Sequence, residues 1–132
     1  MARNIQDLAL TITRALPTAD GTVTSTDFDL GAVSPDVTAE AFELVLAIPA
    51  LTATHLPSAD TLTITVQSGA AATPTTTLNL VAVITGTGST IAAQTVRFRL
   101  PSTVGRYVNV KYVAAGGTGD ISDVSVTQTL RF

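Results

Sequence analysis

Cysteine and tryptophan are both absent from this 132-residue chain, and histidine occurs once. Without cysteine there is no disulfide framework and no thiol chemistry. One histidine and no thiolate leave too few ligands for a zinc centre. Charge is scarce as well. Only 13% of residues are Asp, Glu, Lys or Arg, against about 25% in an average soluble domain. The net charge of −3 and a pI near 4.7 argue against nucleic acid as a partner, which calls for a basic face. No apolar run reaches the length of a membrane span, so no membrane partner is expected. The start, Met-Ala-Arg-Asn-Ile-Gln-Asp, lacks the charged-then-apolar order of a signal peptide, and synthesis in a cytoplasm is the expectation.

What is present is apolar and small. Hydrophobic residues make up 45% of the chain, too many for a disordered segment. The length suits one domain with a core of its own. With so little Lys and Glu, the exterior must be covered by Thr, Ser, Ala and Gly. That composition suits a chain that buries surface in an assembly. The alternative is a monomeric sandwich with a threonine-rich exterior.

Threonine is nearly one residue in five, and valine is frequent. Both favour the pleated sheet over the helix. Segment after segment alternates with period two. Leu8, Leu10 and Ile12 share a face in the first run, Leu8 to Arg14. A second run covers Thr22 to Leu30. In the third, Phe42, Leu44, Leu46 and Ile48 are in phase. Thr61 to Gln67 alternates most cleanly. Thr77 to Thr85 is apolar on both faces, with Leu78, Leu80, Ala82 and Ile84 on one and Val81 and Val83 on the other. Such a strand is expected to be covered on both sides. Thr95 to Leu100 places Arg97 and Arg99 outward. Arg106 to Val113 and Asp123 to Arg131 complete the set. Eight strands separated by Gly- and Pro-rich turns predict an all-β, eight-stranded antiparallel β-sandwich, most simply a jelly roll. One helix-like stretch, Ser34 to Glu40, carries a start signal in Ser34-Pro35. No repeat or linker divides the chain, so residues 1–132 form one expected domain. Residues 1–6, polar and outside the strand pattern, are expected to be a flexible N-terminal arm or a frayed end.

The search for chemistry finds little. His55 could serve a Ser-His-Asp site, but no nucleophile elbow lies near it, and a loop histidine is the simpler reading. Asp20, Asp27 and Asp29 form one acidic group, and Asp120 and Asp123 another. Neither has the spacing of a calcium loop, and calcium in an Asp-containing loop stays open. Glu40 and Glu43, the only glutamates, are not arranged as a glycosidase pair. Gly86-Thr87-Gly88 and Gly116-Gly117-Thr118-Gly119 lie between strands, not before helices, so they are turns and not phosphate loops. Without tryptophan, an aromatic platform for sugar would rest on Tyr107, which is out of phase with Val108, Val110 and Tyr112. No catalytic residue, cofactor or metal ligand is therefore assigned.

The second half carries a resemblance. Phe98-Arg99-Leu100-Pro101, Gly105-Arg106-Tyr107-Val108-Asn109-Val110-Lys111-Tyr112, Gly116-Gly117-Thr118-Gly119 and Val124-Ser125-Val126-Thr127 together resemble the C-terminal half of jelly-roll capsid cement (decoration) proteins of tailed bacteriophages. Ser25 to Gly31 is similar to a segment near the start of such proteins. The resemblance implies a structural virion protein on the outer surface of the capsid. It would act as a homo-oligomer, dimer or trimer, that bridges major capsid proteins, with no catalytic residues. Within that reading, Val81, Val83 and Tyr107 are the candidate interface residues. The alternatives are another virion subunit, from tail or head completion, and a carbohydrate-binding β-sandwich module.

Overall fold

A computed structural model describes residues 11–18, 20–30, 42–117 and 120–131. The helix-like stretch at Ser34 to Glu40, the 1–6 arm and the Leu8 to Leu10 start of the first predicted strand lie outside the described residues.

Among the described residues, alternating β-branched and aliphatic residues build nine strands. They are β1 (Thr11–Ala15), β2 (Gly21–Thr24), β3 (Phe28–Asp29), β4 (Glu43–Ile48), β5 (Thr61–Gly69), β6 (Thr77–Thr85), β7 (Gln94–Arg99), β8 (Tyr107–Ala115) and β9 (Ser125–Arg131). They form two antiparallel sheets. One has the order β1-β9-β4-β7; the other has β2-β8-β5-β6, with β3 also paired to β8. The two sheets pack face to face as a β-sandwich, as the alternation predicted.

Nine strands replace the expected eight because the Thr22-to-Leu30 run is broken. At Ser25 the backbone N–H still donates to the Val110 carbonyl (2.9 Å). In return the Val110 N–H donates to the Ser25 hydroxyl (3.0 Å) instead of a backbone carbonyl. A side chain thus substitutes for the ladder, and the strand resumes only at Phe28.

The core is the sum of the inward faces. Leu44, Leu46 and Ile48 of β4 and Val126 and Leu130 of β9 come from the first sheet. Leu62, Ile64 and Val66 of β5 and Val108, Val110, Tyr112 and Ala114 of β8 come from the second. Each fully buried aliphatic side chain contributes about 1.5–3 kcal/mol of transfer free energy. Arg97 and Arg99 stand exposed on β7, as the alternation requires.

Two polar side chains interrupt this core. Gln128 (β9) is fully buried and both atoms of its amide lack a hydrogen-bond partner. The buried Tyr112 hydroxyl is likewise unpartnered. Burial pushes the Tyr112 phenol above its ordinary range, and the nearby Gln128 amide eases this only in part. The two groups are close, yet they do not reach the distance and angles of a formed hydrogen bond.

Backbones approach closely at two glycines. A Cβ on Gly86 would lie 1.9 Å from the Pro57 carbonyl oxygen. Its N–H donates to the Asp60 carbonyl (2.8 Å), and its carbonyl accepts from Ala59 (3.0 Å). A Cβ on Gly105 would meet the Gly69 backbone at 2.6 Å, and the Gly105 N–H donates to the Ser68 hydroxyl (2.6 Å).

Candidate functional site

The outward residues of the second sheet make a nearly uncharged face. In one row Thr22 lies opposite Val113, Val113 opposite Thr63, and Thr63 opposite Val83. In the next, Thr24, Lys111, Thr65 and Leu80 follow in the same order. Lys111 is the only charged residue in the two rows.

Among the described residues β6 forms one edge of this sheet, not a covered position within it. Strict alternation places Leu80 with Ala82 and Ile84, and Val81 with Val83. The structure divides them differently. The register slips between Ile64 and Thr65, so that Ala82 pairs with Ile64 and Leu80 with Thr65. Val81 is the extra residue of this bulge; it is half-buried and packs against the core. The slip puts Leu80 on the outer face beside Val83. They are 54% and 52% exposed, the two large hydrophobic residues left open to solvent among the described residues.

An edge strand with unpaired backbone groups invites pairing with another chain; charge, proline or a bulge is the usual defence, and of these β6 has the bulge at Val81. β7, the edge of the other sheet, carries Arg97 and Arg99. β6 has nine residues and neither charge nor proline.

Tyr107, the third candidate, starts β8 and is half-buried. The Arg106 guanidinium lies over its ring, 5.1 Å from the centroid. The same guanidinium grips Asp29 of β3 through two contacts, Nε to Oδ1 at 2.7 Å and an NH2 group to Oδ2 at 2.9 Å. The Asp29 carboxylate raises the Arg106 pKa further above its already high value. Tyr107 is thus part of a clamp between β3 and β8 and not a free aromatic platform.

The His55 ring ties two loops together. Its Nδ1 accepts the Thr52 N–H (3.2 Å), and its Nε2 faces Asp123 Oδ1 at 3.3 Å. With both ring nitrogens engaged in this way, none is directed at a hydroxyl nucleophile, which a Ser-His-Asp arrangement requires. The carboxylates hold loops as well. Asp120 accepts from the Ser122 N–H (2.9 Å) and hydroxyl (2.6 Å), which hold its pKa below the ordinary range. Asp20 accepts the Gly117 N–H (2.9 Å). Among the described residues no group of three or more His, Cys, Asp or Glu is placed to share a metal ion.

One further feature was not visible in the sequence. A cleft of about 540 Å³ opens at the end of the second sheet, beside Thr24. Its residues come from three distant segments, 24–27, 67–75 and 109. Each looked like an ordinary polar position of a strand or turn. Only the sheet register brings Gln67 opposite Asn109.

No known protein family, curated protein or solved structure matches this chain.

Proposed function

We propose that this chain is a capsid cement protein. It is a non-enzymatic structural protein that binds the outer surface of a tailed-phage capsid, after synthesis in the host cytoplasm, and bridges neighbouring major capsid proteins as a dimer or trimer.

The observation that carries this reading is the face, charged only at Lys111, that ends in Leu80 and Val83 on β6, a strand with no partner on its outer side among the described residues. A monomer gains nothing from keeping such an edge bare, whereas an assembly covers it. Low overall charge points the same way. The strand order supports a jelly-roll reading of the sandwich. With β2 and β3 counted as one strand there are eight, and every connection except β5 to β6 passes between the sheets. The Arg106-to-Tyr112 segment, whose resemblance suggested the role, leads into and begins the internal strand β8.

Two measurements on the purified chain test the proposal. Sedimentation velocity should give a mass of two or three chains. Pelleting with expanded phage shells should bring the protein down in saturable amounts. A monomer that stays in the supernatant would overturn it.

A further inference from the structure

We propose that the outer face of the first sheet is a docking surface for an acidic protein segment, one that brings side-chain carboxylates to Arg99 and Arg131. The inference stands on this face alone and does not depend on the cement reading.

Sheet register gathers the charge. Glu43 of β4 lies opposite Arg99 of β7 on one side and opposite Arg131 of β9 on the other. One row further along the same face, Val45 lies opposite Arg97 and Thr129. Neighbouring strands are about 4.8 Å apart, so the Arg99 and Arg131 backbones flank Glu43 about 10 Å from each other. The Arg97 guanidinium donates to Glu43 Oε1 (2.9 Å). Arg99 and Arg131 are exposed, and the ion pairs among the described residues engage neither. Three arginines around one carboxylate leave an excess of positive charge.

The chain as a whole is acidic, with a net charge of −3. Yet half of the cations among the described residues stand in this group; the others are Arg14, Arg106 and Lys111. The connections at the far end of the strands, 16–20, 49–60, 86–93 and 116–124, carry Asp20, Asp60, Asp120 and Asp123 and no lysine or arginine. Charge is thus divided along the strand axis, which steers an acidic partner toward the arginines and away from the opposite end. Edge protection accounts for Arg97 and Arg99 on β7. It does not account for Arg131, because β9 is internal, between β1 and β4. Glu43 compensates one arginine, and the other two are left to carboxylates from outside the chain.

The rest of the face selects a polypeptide over a phosphate polymer. Nucleic acid calls for an extended basic stripe, and here the charge stops at Arg97. In the next row Thr13, Thr127, Ala47 and Thr95 lie side by side, small and uncharged. A hollow of about 340 Å³ opens there, lined in part by Ala47, Pro49, Ala93 and Thr95. Arginine forks take carboxylates two hydrogen bonds at a time. Such forks beside small and apolar side chains have the make-up of a protein–protein contact.

The test uses the whole chain and ¹⁵N NMR. End-blocked hexaglutamate is the probe. Hexaglutamine is the neutral control, and a single-stranded thymidine oligonucleotide of equal charge is the phosphate control. The salt is set to about 0.1 M, where the Debye length of about 10 Å is shorter than the strands. Hexaglutamate should shift the Nε–H signals of Arg99 and Arg131 in a saturable way. Hexaglutamine should not, and the oligonucleotide should bind more weakly than hexaglutamate. Arg99→Gln with Arg131→Gln removes two exposed ion pairs and should weaken hexaglutamate by about five- to tenfold. Thr87→Glu with Ser89→Glu lowers the net charge equally, but in the exposed turn at the far end of the strands, and should leave binding unchanged. Equal weakening by the two double variants would overturn the proposal. So would equal shifts with hexaglutamine, or tighter binding of the oligonucleotide than of hexaglutamate.

Discussion

Leu80 and Val83 share the outer face of β6 because a single extra residue, Val81, interrupts the register between them and β5. Without the bulge Leu80 would fall on the face of Ala82 and Ile84. One backbone irregularity therefore makes the exposed pair, and the pair defines the surface on which the proposed assembly rests. Replacing both by lysine should leave the fold intact, since each is about half exposed already. Surface changes of this kind are usually within about 0.5 kcal/mol. The variant should sediment as a monomer that still unfolds cooperatively, with a melting temperature lowered only by the lost subunit contact. A variant that keeps the wild-type mass would show that the face is not the contact.

Gln128 gives an opposite expectation in the core. Its amide is buried and unpartnered, so its desolvation is not repaid by any hydrogen bond. Gln128→Leu or Gln128→Met should raise stability by about 1–2 kcal/mol, read as a higher urea midpoint with the same slope.

Tyr112 adds a pH dependence. Its folded-state pKa is raised by burial, while the unfolded chain titrates near the ordinary tyrosine value of about 10. Below that value both states hold the proton and the group does not make stability vary with pH. Above it the unfolded state loses the proton first, so stability falls as pH rises. Urea unfolding at a series of pH values should show a decline beginning near pH 10 that is reduced in Tyr112→Phe. Because the hydroxyl has no partner, the variant should be as stable as the wild type, or more so, at neutral pH.

Gly86 tests the close approach of two loops. Gly86→Ala would place a methyl group on the Pro57 carbonyl, and backbone, not a flexible side chain, would have to move. A loss of about 3 kcal/mol is expected, measured by denaturant unfolding. Gly117→Ala meets no atom within 4 Å, but its φ of 99° strains any side chain there. It should fall between Gly86→Ala and wild type.

Much of the sandwich was legible in the sequence because period-two alternation is a direct consequence of strand geometry. Thr77 to Thr85 has the bounds of β6, and Phe42, Leu44, Leu46 and Ile48 share the core as read. What could not be read were features made by pairing. The bulge at Val81 depends on β5, and Ser25 breaks its strand only because Val110 lies opposite. The cleft needs Gln67 and Asn109 opposite one another on β5 and β8, and Asp27 in the break between β2 and β3. Tyr107 looked open because phase tells which face a residue takes, not that Arg106 lies over its ring.

If the chain strengthens a phage shell from outside, as proposed, shell rupture temperature measures it directly. Isolated expanded shells should bind the protein to saturation and rupture at a higher temperature than bare shells, and the Leu80→Lys, Val83→Lys double variant should lose the gain. Shells whose rupture temperature is unchanged by saturating protein would contradict the account.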